Sequence, residues 1–380
     1  MSEHSFVFSE KPIEIASGQG PYLYGADGTE YLDFGASYAV APVGHSHPRV
    51  VEAIQEQAAE LTYVQASYPV AARTACYEKL ATVAPGDLSK VWLCNSGTEA
   101  NEAAMKFARS ATGRSKIVAT RRGFHGRTLG ALAMTWKDKY KKPFEPLAGG
   151  VEFVPYGDEE ALAAAVDEET AALFLEPVQG EGGVNPAPTG YLHHAREVTE
   201  AAGAALVFDE IQTGVGRTGT LWACERAGVV PDVLTTAKGI ASGLPLGATI
   251  CADWIAADAG DHGSTFSGGP VVCAAANATL DVLVDEDLPA HANEVGAYLT
   301  QELRRAVDEH DLPVREVRGL GLMLGVETKR GANRLLRDLA LEHGVLALPA
   351  GRTVLRLLPP LIVDRDHADR VVEAVTEVTT

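Results

Sequence analysis

Lys238 stands alone in "LTTAKGIASGLPLGA" (234–248), a run of small and apolar residues with no acidic side chain beside it. It is the only lysine between Lys142 and Lys329, in a chain that has 11 lysines. An amine in such surroundings has its charged form disfavoured, so its pKa falls and it becomes a nucleophile able to form a Schiff base. Asp209 ends "ALVFD" (205–209), a buried-strand pattern, and open α/β sheets bind ligands at the carboxyl ends of their strands. "CNSGTEANEAAMKFARSATG" (94–113) reads as a helix opening directly after a strand. Ser96-x-x-Glu99 is a capping-box pattern; Ala100, Ala103, Ala104, Phe107, Ala108 and Ala111 recur at helical spacing, and Gly113 is a stop signal. The N–H groups of Gly97, Thr98 and Glu99, with the Ser96 and Thr98 hydroxyls, would form an anion site at the positive end of the helix dipole.

Each feature has a plainer reading by itself: a snorkelling lysine, a structural strand acid, an ordinary capped helix. "ALVFDE" also resembles a Walker B strand, but the chain has no GxxxxGK[ST] to hold a nucleotide's phosphates. Gly214-x-Gly216-x-x-Gly219 fits a dinucleotide fingerprint, yet it lies five residues beyond the strand and lacks the carboxylate expected about twenty residues on. A nucleophilic lysine, an acid that could keep a pyridine nitrogen protonated and a phosphate cup together describe a pyridoxal-phosphate site.

The elements that must position these residues alternate along the chain. Short apolar runs, "KVWLC", "KIVAT", "AALFLE", "ALVFD" and "DVLTTA", are separated by helix-like stretches such as "EEALAAAV" and "GYLHHAREVTEAAG". This pattern predicts an α/β fold with a mostly parallel sheet covered on both faces. We expect residues 51–274 to form this large domain and residues 275–380 a smaller α+β domain with strands at "VREVRG", "LMLGVET" and "TVLRLLP". Residues 1–50, with a hairpin at Asp27-Gly28, are expected to pack with the smaller domain.

Lys+Arg of 32 against Asp+Glu of 51 gives a net charge of −19, which opposes nonspecific nucleic-acid binding. Scarce lysine and abundant carboxylate resemble proteins of high-salt cytoplasm. "MSEHSFVFSE" lacks the basic flank and apolar core of a signal peptide, and no run is long enough to span a membrane, so a cytoplasmic protein is expected. The five cysteines are scattered without a CxxC pair, which indicates buried thiols and neither a disulfide framework nor a metal site.

The segments "NSGTEANEAAMKFAR", "GFHGRT", "LEPVQGEGGV", "LVFDEIQTGVGRTG", "PDVLTTAKG", "DHGSTFSGGP" and "LRLLPP" resemble, in order, those of the class III pyridoxal-phosphate aminotransferases of fold type I. The resemblance implies a seven-stranded large-domain sheet, with Lys238 joined to the cofactor and later carrying its proton. It also implies that Asp209 pairs with the pyridine nitrogen, Gln212 approaches the ring hydroxyl, Phe124 stacks on the ring, and Ser96, Gly97 and Thr98 hold the phosphate. Thr265 would reach the phosphate of the neighbouring subunit, which implies a homodimer with shared active sites. One segment departs from the family: the usual "STFGGNP" reads "STFSGGP", altering Ser267 and Gly269 and putting the local turn geometry in question.

For substrates, similarity to the ornithine-type enzymes implies that Arg127 holds the carboxylate distal to the reacting amine and that Arg356 takes the α-carboxylate of glutamate or 2-oxoglutarate. Glu181 would mask Arg356 while an ω-amino substrate is bound; Tyr38 and Ser264 would also contact substrate. "ALAMTWKDKYKKPFEPLAGGVEFVPY" and "REVRGLGLMLG" are most similar to archaeal enzymes of lysine and arginine biosynthesis, whose ornithine or lysine is joined through its α-amino group to a small acidic carrier protein. Lys137, Lys139, Lys141 and Lys142 would make a positive docking rim for such a carrier. The alternatives are N-acetylornithine, 4-aminobutyrate or free ornithine as amino donor, a nonenzymatic cofactor binder, and a dinucleotide-dependent dehydrogenase.

Overall fold

The computed structural model describes residue 7, residues 11–255 and residues 257–380. Apart from Val7, the amino-terminal stretch "MSEHSFVFSE" lies outside these residues. A seven-stranded sheet forms the centre, in the order Lys90–Cys94, Gly247–Cys251, Val233–Thr236, Ala205–Asp209, Thr170–Leu175, Lys116–Thr120, Val151–Val154. All pairings are parallel except those of Gly247–Cys251, which runs antiparallel to both neighbours. The sheet is buried on both faces, and every residue of Thr170–Leu175 is inaccessible, as near-continuous apolar runs demand. The apolar runs from "KVWLC" to "DVLTTA" therefore form the strands the sequence predicts. The antiparallel strand went unread because "GATIC" is rich in small residues of low strand propensity.

The Gly97–Thr112 helix follows strand Lys90–Cys94 directly. Ser96 Oγ accepts the Glu99 N–H, and Gly113 ends the helix at φ +68 with its N–H on the Arg109 carbonyl. The capping box is closed differently from the sequence pattern. Glu99 reaches past the cap residue to the Asn95 N–H at 3.0 Å, while the Ser96 hydroxyl donates to the same carboxylate at 2.8 Å.

A second, antiparallel sheet contains Val314–Leu320, Met323–Thr328, Val354–Leu357 and Leu348–Ala350, in that order, packed by helices Leu288–Glu309 and Ala332–Glu342, on which helix Arg365–Thr379 rests. The amino-terminal strands Ile15–Gln19, Tyr22–Gly25 and Glu30–Asp33 form a third, with the expected hairpin closed by the Thr29 N–H on Asp27 Oδ1 at 3.0 Å. Strand Val345–Leu346 joins it in parallel beside Glu30–Asp33. All five cysteines are unpaired and buried, as expected. Among the described residues no helix is long and apolar enough to cross a membrane.

The altered "STFSGGP" turn is held by side chains. Ser267 is buried and its hydroxyl donates to the Leu93 carbonyl, while Arg73 Nε donates to the Gly268 carbonyl at 2.6 Å. The same guanidinium reaches the carbonyls of Tyr68 at 2.8 Å and Val64 at 2.7 Å, tying residues 64–68 to the turn that carries Thr265. A buried charged donor shared by several carbonyls leaves them all unmatched when removed. Arg73→Met is expected to lower unfolding stability by about 3 kcal/mol in urea titrations.

Candidate active site

Asp209 projects from the carboxyl end of its strand and is 4% exposed. Its Oδ2 accepts from Asn101 Nδ2 and from the His125 ring Nδ1, each at 2.8 Å, and its Oδ1 accepts the Ile211 N–H at 3.1 Å. Asn101 lies on the Gly97–Thr112 helix, where it also donates to the His125 carbonyl and accepts from Thr235 Oγ1, both at 2.8 Å. Burial by itself would lower the basicity of the His125 ring. The hydrogen bond and charge of Asp209 reverse this and leave it raised.

Lys238 follows the adjacent strand at φ +47, a left-handed conformation that is strained for a side-chain-bearing residue. Burial disfavours its ammonium form more than the charges of Glu181 and Asp209 favour it, so its pKa lies below the ordinary lysine value. Lys238, Asp209, Ser96, Gly97, Thr98, Phe124, Arg127, Glu181 and Gln212 all line one cavity of about 400 Å³. In its lining the Gly97 and Thr98 N–H groups at the start of the Gly97–Thr112 helix have no intrahelical acceptor, whereas the Glu99 N–H, expected in the cup, is taken by Ser96 Oγ. Thr98 Oγ1 sits where a Cβ on Gly126 would be, 2.2 Å away, so only glycine admits the loop carrying Phe124 and Arg127 this close to the cup.

Arg356 is fully buried and meets the cavity through two lining residues, Glu181 and Gln212. Its Nη2 meets Glu181 Oε1 at 2.6 Å, its Nη1 donates to Gln212 Oε1 at 2.9 Å, and its Nε is buried without a partner among the described residues. Gln212 thus turns its carbonyl oxygen to Arg356. The Tyr38 ring centre lies 5.6 Å from the Arg356 guanidinium carbon, half exposed. Tyr38 is carried by residues 36–39, four consecutive non-glycine residues at positive φ, a left-handed turn closed by the Val40 N–H on the Ala36 carbonyl at 2.7 Å. Arg127 lies exposed with its guanidinium carbon 3.6 Å from the Tyr140 ring centre and 5.4 Å from that of Phe124.

Two expected residues stand outside this group. Ser264 Oγ accepts from Asn95 Nδ2 at 3.0 Å, beside the helix start, and Thr265 is exposed with its carbonyl bonded by the Tyr63 hydroxyl. Three residues were not singled out from sequence: Asn101, His125 and Glu176. Glu176 directly follows strand Thr170–Leu175 as Asp209 ends its own, and it accepts the N–H groups of Phe124 at 2.9 Å and Gly180 at 3.2 Å. Burial pushes its carboxyl up to about 7. The strand-end position was a usable signal for Glu176; a polar residue in an alanine-rich buried face was one for Asn101.

This set fits pyridoxal phosphate: a cup of N–H groups and hydroxyls for the phosphate, a buried amine of lowered basicity, and a buried carboxylate anchored so that its position is fixed. A lysine with lowered folded-state pKa destabilises the chain below that pKa, where its ammonium is buried, and the cost fades as pH rises toward the ordinary lysine value. Without cofactor, Lys238→Met is therefore expected to melt above the parent chain at pH 7. The margin should shrink toward pH 10 in thermal scans.

Comparison with known proteins agrees with this geometry. A [LysW]-aminoadipate semialdehyde transaminase of Deinococcus radiodurans is 45% identical, the alignment covering 97% of this chain and 86% of that protein. An acetylornithine aminotransferase of Methanosarcina mazei is 44% identical, covering 98% and 93%. Among solved structures, the ornithine aminotransferase of Toxoplasma gondii, with pyridoxal phosphate at partial occupancy in its active site, superposes with a TM-score of 0.92 at 34% identity over 97% of this chain and 91% of that one. The sequence profile "Aminotransferase class-III" matches residues 7–379, a span that contains every residue of the cavity, and the chain belongs to that family.

Proposed function

We propose that this aminotransferase moves the terminal amino group between an α-amino-blocked ornithine or lysine, joined to an acidic carrier protein, and the 2-oxoglutarate/glutamate pair, acting in the cytoplasm as a homodimer. The observation that carries the reading is the masked guanidinium: Glu181 on Arg356 at 2.6 Å, with Glu181 lining the same cavity as an exposed Arg127. One site must accept glutamate, whose α-carboxylate needs a buried bidentate cation, and then a substrate for which that cation must be silent. Glu181 silences it in the second case and yields to the carboxylate in the first.

Bound pyridoxal phosphate would supply an electron sink that acidifies the C–H bond at the carbon bearing the transferred amine, the terminal carbon of ornithine or lysine and Cα of glutamate. Lys238, less basic than a free lysine, would hold the proton lost from that carbon and give it back as the transfer completes. Asp209 would hold the ring's nitrogen end, Phe124 would cover one ring face, and Gln212, whose Oε1 accepts from Arg356, would approach the ring edge. The exposed aromatic side chains Tyr63, Tyr68 and Phe266 beside Thr265 support a second copy packing there.

The choice of a carrier-linked over an N-acetylated substrate rests on the surface around Arg127. Lys139 lies 5.0 Å from the Tyr140 ring centre, Lys141 4.4 Å from that of Phe153, and Arg121 5.7 Å from that of Trp136. Phe144 and Leu129 stand exposed nearby in sequence. On a chain of net charge −19 this cation-and-aromatic rim matches an acidic protein better than an acetyl group. N-acetylornithine is the second reading, favoured by the names of relatives such as the Methanosarcina mazei enzyme. Replacing Lys137, Lys139, Lys141 and Lys142 by Glu should lower kcat/KM for carrier-linked ornithine by about tenfold or more while leaving N-acetylornithine within about twofold. Single-turnover half-reactions measure both, and equal losses, or a parent enzyme that prefers N-acetylornithine, would return the assignment to the acetylated substrate.

A further inference from the structure

Glu181 belongs to a short turn, residues 180–184, whose Gly183 and Val184 N–H groups both donate to the Gly180 carbonyl at 3.3 Å. At its start the turn is anchored by the Gly180 N–H on Glu176. At its far end it rests on the second sheet. There Arg318 pairs in register with Gly325, and Gly325 with Arg356, so the three residues form one row across three adjacent strands. Arg318 Nη2 donates to the Gly183 carbonyl at 2.7 Å and its Nε to the Val184 carbonyl at 3.0 Å. Arg356, at the other end of the row, takes the Glu181 carboxylate. Between them Gly325 leaves the space that Val184 fills: a Cβ there would lie 2.9 Å from Val184 Cβ.

The Arg318 guanidinium is itself braced. Its Nη1 meets Glu327 at 2.6 Å and Glu316 at 2.8 Å, and it holds the Glu327 carboxyl below the usual range. A fork fixed by two carboxylates on one side and gripping two carbonyls on the other fixes a turn far better than a single ammonium could. None of its contacts reaches the cavity.

We propose that Arg318 is a positioning residue for substrate selection: by clamping residues 183–184 onto the row it shares with Arg356, it keeps the Glu181 carboxylate closed on Arg356 until a substrate α-carboxylate competes for it. The inference rests on the masking role of Glu181. With the turn's backbone held at both ends, the mask opens by rotation of the Glu181 side chain while the turn stays in place. Loosening the clamp weakens the internal competitor, so a dicarboxylate should then bind more tightly. A loss of fold would have the opposite effect.

The test uses the cofactor-loaded enzyme and glutarate, which offers Arg356 a carboxylate but no amine to react, with Kd read by calorimetry. Glu181→Gln is expected to tighten glutarate binding about tenfold and Arg318→Lys about threefold. The double variant should bind no tighter than Glu181→Gln alone, because both act through one carboxylate. The ratio of kcat/KM for glutamate to that for the ω-amino substrate should rise in parallel. Gly325→Ala, which lifts Val184 from the row, should move glutarate binding in the same direction and serves where Arg318→Lys folds poorly. If Glu181→Gln tightens binding and neither Arg318→Lys nor Gly325→Ala does, the Arg318 role is overturned and the mask survives. If Arg318→Lys tightens binding equally in the Glu181→Gln background, Arg318 acts by another route and the proposal again falls. If Glu181→Gln itself leaves glutarate binding unchanged, the mask falls and the proposal with it.

Discussion

A carboxylate buried at the end of a strand must find donors, and the way Asp209 finds them organises the whole site. One donor, Asn101, comes from the helix whose start forms the phosphate cup; another, His125, comes from the loop that carries Phe124 and Arg127. Asn101 spends its remaining capacity on Thr235 of the next strand, the strand that delivers Lys238. Satisfying one buried charge thus sets the relative positions of cup, ring face and lysine. Each partner is itself buried, so none can relax without leaving a polar group unmatched. Residues far apart in sequence thus line one cavity without any covalent crosslink among their elements.

The same logic is used differently at Arg356. A fully buried guanidinium paired to a single carboxylate gains little net stability over an apolar pair, because both charges lose their hydration. What the pair supplies is exchangeability. In the proposed function an incoming α-carboxylate would replace a carboxylate already present, so the desolvation of Arg356 would be met before substrate arrives. Asp209 has three protein donors and stays; Glu181 is held to Arg356 by one contact on a half-exposed stem and can leave. The number of donors on each carboxylate separates the fixed acid from the movable one.

Much of this was legible in the sequence. The strands from "KVWLC" to "DVLTTA", the cup helix with its Gly113 stop, the isolated Lys238 and the strand-end Asp209 all follow from periodicity and from the cost of burying charge. Residues of Gly247–Cys251 were missed because their burial depends on packing close to the cup rather than on their own propensity. The left-handed turn at residues 36–39 could not be read at all, since "ASYA" carries no glycine or asparagine to announce it. Tertiary contacts impose that conformation, and it appears where Tyr38 must lie over Arg356. Arg318 shows the same limit from another side. "REVRG" reads as an ordinary strand with exposed charges, and only the register that aligns it with Gly325 and Arg356 gives the arginine a purpose.

The distribution of positive charge bears on how substrates arrive. With a net charge of −19, the long-range field of the chain repels anionic molecules. At molar ionic strength the Debye length is about 3 Å, and that repulsion disappears together with any steering. Recognition must then come from groups in contact, where burial or an aromatic surface protects the interaction from screening. Arg356 is protected by burial, while the exposed Arg127 and Lys139 and the partly exposed Lys141 gain a short-range attraction from the rings of Tyr140 and Phe153. Of these cations Arg356 is the one that salt reaches least, and its burial lets an acidic surface coexist with a buried positive charge.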